Sequence, residues 1–198
     1  MHIRRFRLPA ARFFSIIGHP AILTPGALLL ALHAGHVASS RLVASQAFVI
    51  AVAAGLMMWG LWQVKRRRWR HIDASAPSER RDLNRVTFLV LVASAIGAAI
   101  GHMTMLSFGF ACASLILAMA IILAGSFKLS QHVAFAMLST LIAGFAGVGV
   151  VASMLTLTLV IAWSRVELGR HTRGEILGGA GAGLLAGLAL VIGVSLIG

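Results

Sequence analysis

An all-α fold, a polytopic bundle of six to seven membrane-crossing helices in a single domain over residues 1–198, is predicted by three features of this chain. Hydrophobic residues make up 59% of it and charged residues 11%, whereas roughly a quarter of a soluble globular domain is charged. Apolar runs of helical length follow one another with short polar breaks between them. The charge is confined to those breaks, and when the runs alternate in direction every one of the seventeen Lys and Arg residues except Arg41 falls on one side.

The first segment, 1–17, sets Arg4, Arg5, Arg7 and Arg12 among Phe6, Phe13, Phe14 and Ile16, the mixture of an amphipathic helix lying in the membrane interface. It does not read as a cleaved signal, because Pro20 interrupts the apolar run and no small-residue cleavage site follows it. The next two apolar segments are 21–37 and 42–64. The run 86–125 would be about 60 Å long as one helix, twice the roughly 30 Å hydrocarbon core, so it folds back near 101–107 into segments 86–102 and 105–125. By the same rise, about 50 Å for 132–164, the glycines Gly144, Gly147 and Gly149 mark a hairpin of 132–147 and 149–163. The last segment, 175–197, carries Gly179, Gly183 and Gly187 four apart, a small-residue stripe that lets helices approach closely in lipid. Residues 181–186 match a dinucleotide-binding glycine pattern only formally, since no strand precedes them and no acidic residue follows.

Seven crossings place the amino terminus and the loops 65–85, 126–131 and 164–174 on one face. With so strong a positive bias that face is expected to be cytoplasmic, in the inner membrane of a bacterium. The loop Lys65-Arg66-Arg67-Arg68-Trp69-Arg70-His71 reads as a topogenic segment that meets the headgroups of membrane lipids. Nucleic acid is excluded as a partner, because the basic residues flank apolar runs and form no continuous face. The single Cys112 excludes an internal disulfide. Asp73, Glu79, Asp82, Glu167 and Glu175 are all the acids there are, with no cluster to hold magnesium against phosphate, so no metal or cofactor is expected. His33 and His36 are two ligands without a third and read as interfacial histidines.

The chemistry concentrates in residues 126–175. His171 and Glu175, four apart at a helix start, share one face; a carboxylate there fixes the imidazole tautomer and stabilises the charge gained on attacking an electrophile. Arg165, six residues before His171, offers a guanidinium fork that matches two phosphate oxygens. Such a trio is also what an ordinary polar helix end presents. Lys128, Ser130 and His132 add a second cation, a hydroxyl and a proton source at another helix start, whose unpaired amides suit an anion. Ionisable groups at a membrane boundary are costly, and two such clusters on one face point to phosphate.

These residues resemble the third signature of the type 2 phosphatidic acid phosphatase superfamily, whose soluble relatives include the vanadium haloperoxidases: Ser164-Arg165, five residues, His171, three residues, then Glu175 where the family carries Asp. Its second signature, Pro-Ser-Gly-His, stands here as Leu129-Ser130-Gln131-His132. The first, Lys with Arg-Pro seven residues later, is absent; Lys128 stands beside the second signature in place of its lysine, and Arg80 or Arg81 is available for its arginine. The resemblance implies that His171 is the nucleophile that forms a phosphohistidine and that Glu175 orients it. It implies too that Arg165 and Ser130 hold phosphate, with Gln131 in the backbone cradle, while His132 protonates the leaving oxygen. The expected function is thus metal-independent hydrolysis of a lipid phosphate or diphosphate, of polyprenyl or phosphatidic-acid-like type. The alternative is a non-catalytic lipid-phosphate binder or transporter on the same scaffold.

Overall fold

The computed structural model describes residues 2–35, 39–70 and 76–197, of which residues 2–6, 39 and 40 are described by their backbone alone. His36, His71 and Asp73 lie outside the described residues, as do the side chains of Arg4, Arg5 and Phe6. The described chain is all helical: α1 (His2–Ile17), α2 (Pro20–Ala34), α3 (Ser39–Lys65), α4 (Pro77–Ile100), α5 (Thr104–Ile122), α6 (Gln131–Ala143), α7 (Val148–Glu167) and α8 (Arg173–Ile197).

Each boundary has a local cause. His19 Nδ1 accepts the Ala21 amide at 3.2 Å and Pro20 opens α2, a position where its missing N–H costs nothing. Glu79, buried near the start of α4, accepts the amides of Arg70 (2.9 Å) and Ala76 (3.2 Å) and so closes the basic loop onto that helix. The turn between α4 and α5 falls at residues 101–103, inside the window expected for the fold-back. Ser107 Oγ ties its two arms by donating to the Ala95 carbonyl at 3.0 Å. Gly147, with φ 121 and ψ 160, makes the turn between α6 and α7; no residue with a Cβ adopts that backbone readily.

α6 is the central element, packed on α2, α7, α8 and α5, with Leu138, Ile142 and Ala134 fully buried. Thr24 and Ser139 pair at 3.1 Å between α2 and α6, and Thr140 and Thr158 at 3.0 Å between α6 and α7, so the buried hydroxyls bridge helices. The glycine stripe of α8 faces α6 as expected. A Cβ at Gly179 would fall 2.5 Å from the Ser130 carbonyl oxygen, one at Gly187 would fall 2.7 Å from Leu141, and one at Gly183 would run into the Ala134 carbonyl.

Of the six to seven crossings expected, six are reached when a bent pair of helices counts as one span. Among the described residues five helices are long and apolar enough to cross a membrane: Arg41–Lys65, Pro77–Ile100, Thr104–Gly125, Val148–Glu167 and Arg173–Ile197. A sixth results if Arg7–Ile17 and Pro20–Ala34, bent by 54°, count as one broken span. The apolar segment 132–147 does form a helix, but Gln131–Ala146 is too short to cross unaided, because the turn at Gly147 ends it early. The segment 1–17 forms the helix α1, which packs against α7 and leads through a bend into α2.

Candidate active site

Because the helices from α2 onward alternate in direction, the starts of α2, α4, α6 and α8 gather at one end of the bundle with the last turns of α3, α5 and α7. Both histidine motifs lie there. At the start of α8, His171 Nδ1 meets Glu175 Oε2 at 2.9 Å. With Nδ1–H donated to the carboxylate, Nε2 keeps its lone pair for an electrophile. The same Oε2 accepts the Thr172 amide at 3.1 Å, and Thr172 Oγ1 accepts the Glu175 amide at 3.3 Å, so Glu175 also closes a capping box. That Thr-x-x-Glu box is a helix-start signature which the sequence carries and which a search for catalytic spacing passes over.

The second motif is stitched to the first through backbone. The Ser130 amide donates to the Glu175 carbonyl at 3.1 Å, and Lys128 Nζ donates to the Arg170 carbonyl at 2.8 Å. Ser130 is the N-cap of α6, yet its hydroxyl makes no capping bond; fully buried, Oγ has no hydrogen-bond partner among the described residues. A buried hydroxyl without a partner beside the amides of a helix start is an arrangement that favours an anion.

Arg80, Arg81, Lys128 and Gln131 line one cavity of about 270 Å³, so the basic residues of α4 do come to the motif beside α6. Gln131 donates through its side chain to Asn84 Oδ1 at 2.7 Å. Asn84 and Gln131 also border an apolar cavity of about 160 Å³ that runs between α2, α3, α4, α5 and α6, past Leu28, Val49 and Phe110, with His19 and His132 at its polar end. Arg165 is held from outside the two motifs: its guanidinium donates to Ser15 Oγ of α1 at 2.7 Å. The ring of His132 meets the ring of His19 edge-on, with centroids 5.4 Å apart. His132 also lies within electrostatic reach of Arg165, His171 and Arg170.

Two groups in the loops have shifted protonation. Burial pushes the His171 imidazole down from 6.5 to about 4; the Glu175 hydrogen bond opposes this, and the charges of Lys128 and Arg165 add to it. His171 is therefore neutral at physiological pH, the state a nucleophile needs. Lys128 is also lowered, by burial first and then by Arg80, with Arg165 and Arg170 adding and Glu175 opposing. A cation crowded by like charges gains from an anion bound among them.

The structure thus brings His171, Glu175, Lys128, Ser130, Gln131, His132 and Arg165 together, with Arg80 and Arg81 at the adjoining cavity. Three contributors were missed from sequence. Ser15 and Asn84 belong to segments read as interface helix and basic loop, His19 falls in the break between segments 1–17 and 21–37, and only the tertiary packing carries them to the motifs. Among the described residues no three His, Cys, Asp or Glu side chains converge as a metal site. No protein-family model matches the chain, and no curated protein or solved structure does either.

Proposed function

We propose that the protein is a membrane lipid phosphatase that hydrolyses a lipid phosphate or diphosphate through a covalent phosphohistidine. The observation that carries this reading is the His171–Glu175 pair set beside a buried hydroxyl and several cations at one end of an apolar bundle. His171 Nε2 attacks phosphorus, and the bond from phosphorus to the lipid oxygen breaks. His132 gives its proton to that oxygen, so the lipid leaves as an alcohol or, from a diphosphate, as a monophosphate. Water, deprotonated by His132, then attacks the phosphohistidine and frees phosphate with the imidazole restored. Arg165, Lys128, Ser130 and the first amides of α6 stabilise the five-coordinate phosphorus between these states. The apolar cavity beside His132 supports a lipid over a soluble phosphate, because a hydrocarbon chain can lie there while the headgroup reaches the cations.

A second reading, a non-catalytic lipid-phosphate binder or transporter, draws support from Glu175, whose capping of α8 would keep it in place without any reaction. Purified protein in detergent, given polyprenyl phosphates, polyprenyl diphosphates and phosphatidic acid, separates the two. We expect phosphate release that survives EDTA, is blocked by orthovanadate and passes through an acid-labile phosphoenzyme. Binding of these lipids without any release of phosphate would establish the second reading, and strict dependence on added magnesium would remove the metal-free mechanism.

A further inference from the structure

We propose that the bend between α1 and α2 is a working wall of the site, with Ser15 positioning Arg165 and His19 positioning His132. The inference rests on the phosphatase reading for the part played by His132, and on geometry alone for Arg165. The long side chain of Arg165 has many rotamers, and a guanidinium that binds phosphate gains from being held before the ligand arrives. Ser15 Oγ accepts from its Nη1 at 2.7 Å across 150 residues of chain, which ties the planar guanidinium to α1.

His19 acts through a different contact. Its Nδ1 is occupied as acceptor from the Ala21 amide, which fixes the ring plane and leaves the proton on Nε2. The ring so fixed stands edge-on, at 87°, to that of His132 and restricts its rotation. The groups that face His132 with charge or a titrating ring are His19 from the bend, Arg165 from α7, and Arg170 and His171 from the loop before α8. Close packing secures the wall itself. Gly18 lies so near α7 that a Cβ there would fall 2.5 Å from the Ile161 side chain, itself fully buried.

The test uses the full chain in detergent with Ser15→Ala, Ser15→Thr and His19→Asn, each checked for an unchanged thermal midpoint. Asparagine is a strong N-cap, so His19→Asn keeps the start of α2 and removes only the ring. Titration with orthovanadate should show Ser15→Ala weakened about tenfold and Ser15→Thr within about twofold of wild type, the scale of one hydrogen bond to a charged group. His19→Asn should lower kcat for a lipid phosphate about tenfold, and for an activated aryl phosphate by less than about twofold, with KM unchanged. Vanadate affinity unaltered in Ser15→Ala, in a protein that does hydrolyse lipid phosphate, overturns the part of Ser15 and leaves the phosphatase reading intact. Equal losses on both substrates in His19→Asn overturn the part of His19. A wild type that hydrolyses nothing removes the phosphatase reading and the part of His19 with it, and the titration alone then decides Ser15.

Discussion

His171 is the residue on which the proposed chemistry turns. His171→Ala should lower phosphate release by more than about a thousandfold while vanadate still stabilises the protein, since the anion-binding groups remain; wild-type rates in that variant would falsify its assignment as nucleophile. The pH dependence has a definite sign. With the imidazole lowered to about 4, kcat/KM should hold down to that region and fall as His171 takes up a proton. Glu175 raises the His171 value, so Glu175→Gln should reduce the rate and move the acid limb still lower. A limb that moved up instead would show that another group controls it. With an activated aryl phosphate, which does not need the His132 proton, the alkaline limb belongs to Lys128, whose value is depressed: activity should decline before an ordinary lysine loses its proton, and Lys128→Arg should extend it upward. His171 with Glu175 was legible because residues four apart on a helix must share a face. The second duty of Glu175, as partner of Thr172, follows from an equally local pattern, whereas the approach of His19 to His132 depends on how α2 lies on α6.

Helix pairing in lipid has little hydrophobic drive of its own, so the approach of α8 to α6 depends on the bare backbone at Gly179, Gly183 and Gly187. Gly183→Ala should cost about 1–3 kcal/mol, because its methyl group would meet the Ala134 backbone carbonyl of a buried helix, which cannot give as a side chain would. Gly181→Ala, with open space around it, is the control and should leave the thermal midpoint unchanged. Equal midpoints for the two variants would mean that the α6–α8 contact contributes nothing measurable. The same seam carries the bond from the Ser130 amide to the Glu175 carbonyl, so the Gly183 variant should also lose activity faster than it loses fold. The stripe was plain in the sequence, and so were both hairpins, since glycines and excess length are local properties. The shortness of α6 was not, because an apolar run does not show where a turn will cut it.

The assembly as a whole places the connections 66–70, 123–130 and 168–172 at one end of the bundle and Arg41 near the other. We propose that this basic end faces the cytoplasm. Ser126, exposed in the loop before α6, can be changed to Cys in a Cys112→Ala background and treated with a membrane-impermeant thiol reagent. We expect labelling only after lysis; labelling of intact cells would put the site outside. That charge bias was readable in full from the sequence, since it needs only the order of apolar runs, whereas Ser15 meeting Arg165 depends on the closing of the entire bundle. The length of that closure bears on how the protein is born. Ser15 is translated 150 residues before its partner, with His171 and Glu175 following only as α8 begins. At about 5–20 residues per second, the ribosome feeds the membrane an incomplete chain for many seconds. During that time α1 has no α7 to rest on, and His171 has not been made. A chain arrested before α8 therefore lacks the His171–Glu175 pair, and the proposed phosphatase has no means to touch membrane phosphates until that helix emerges.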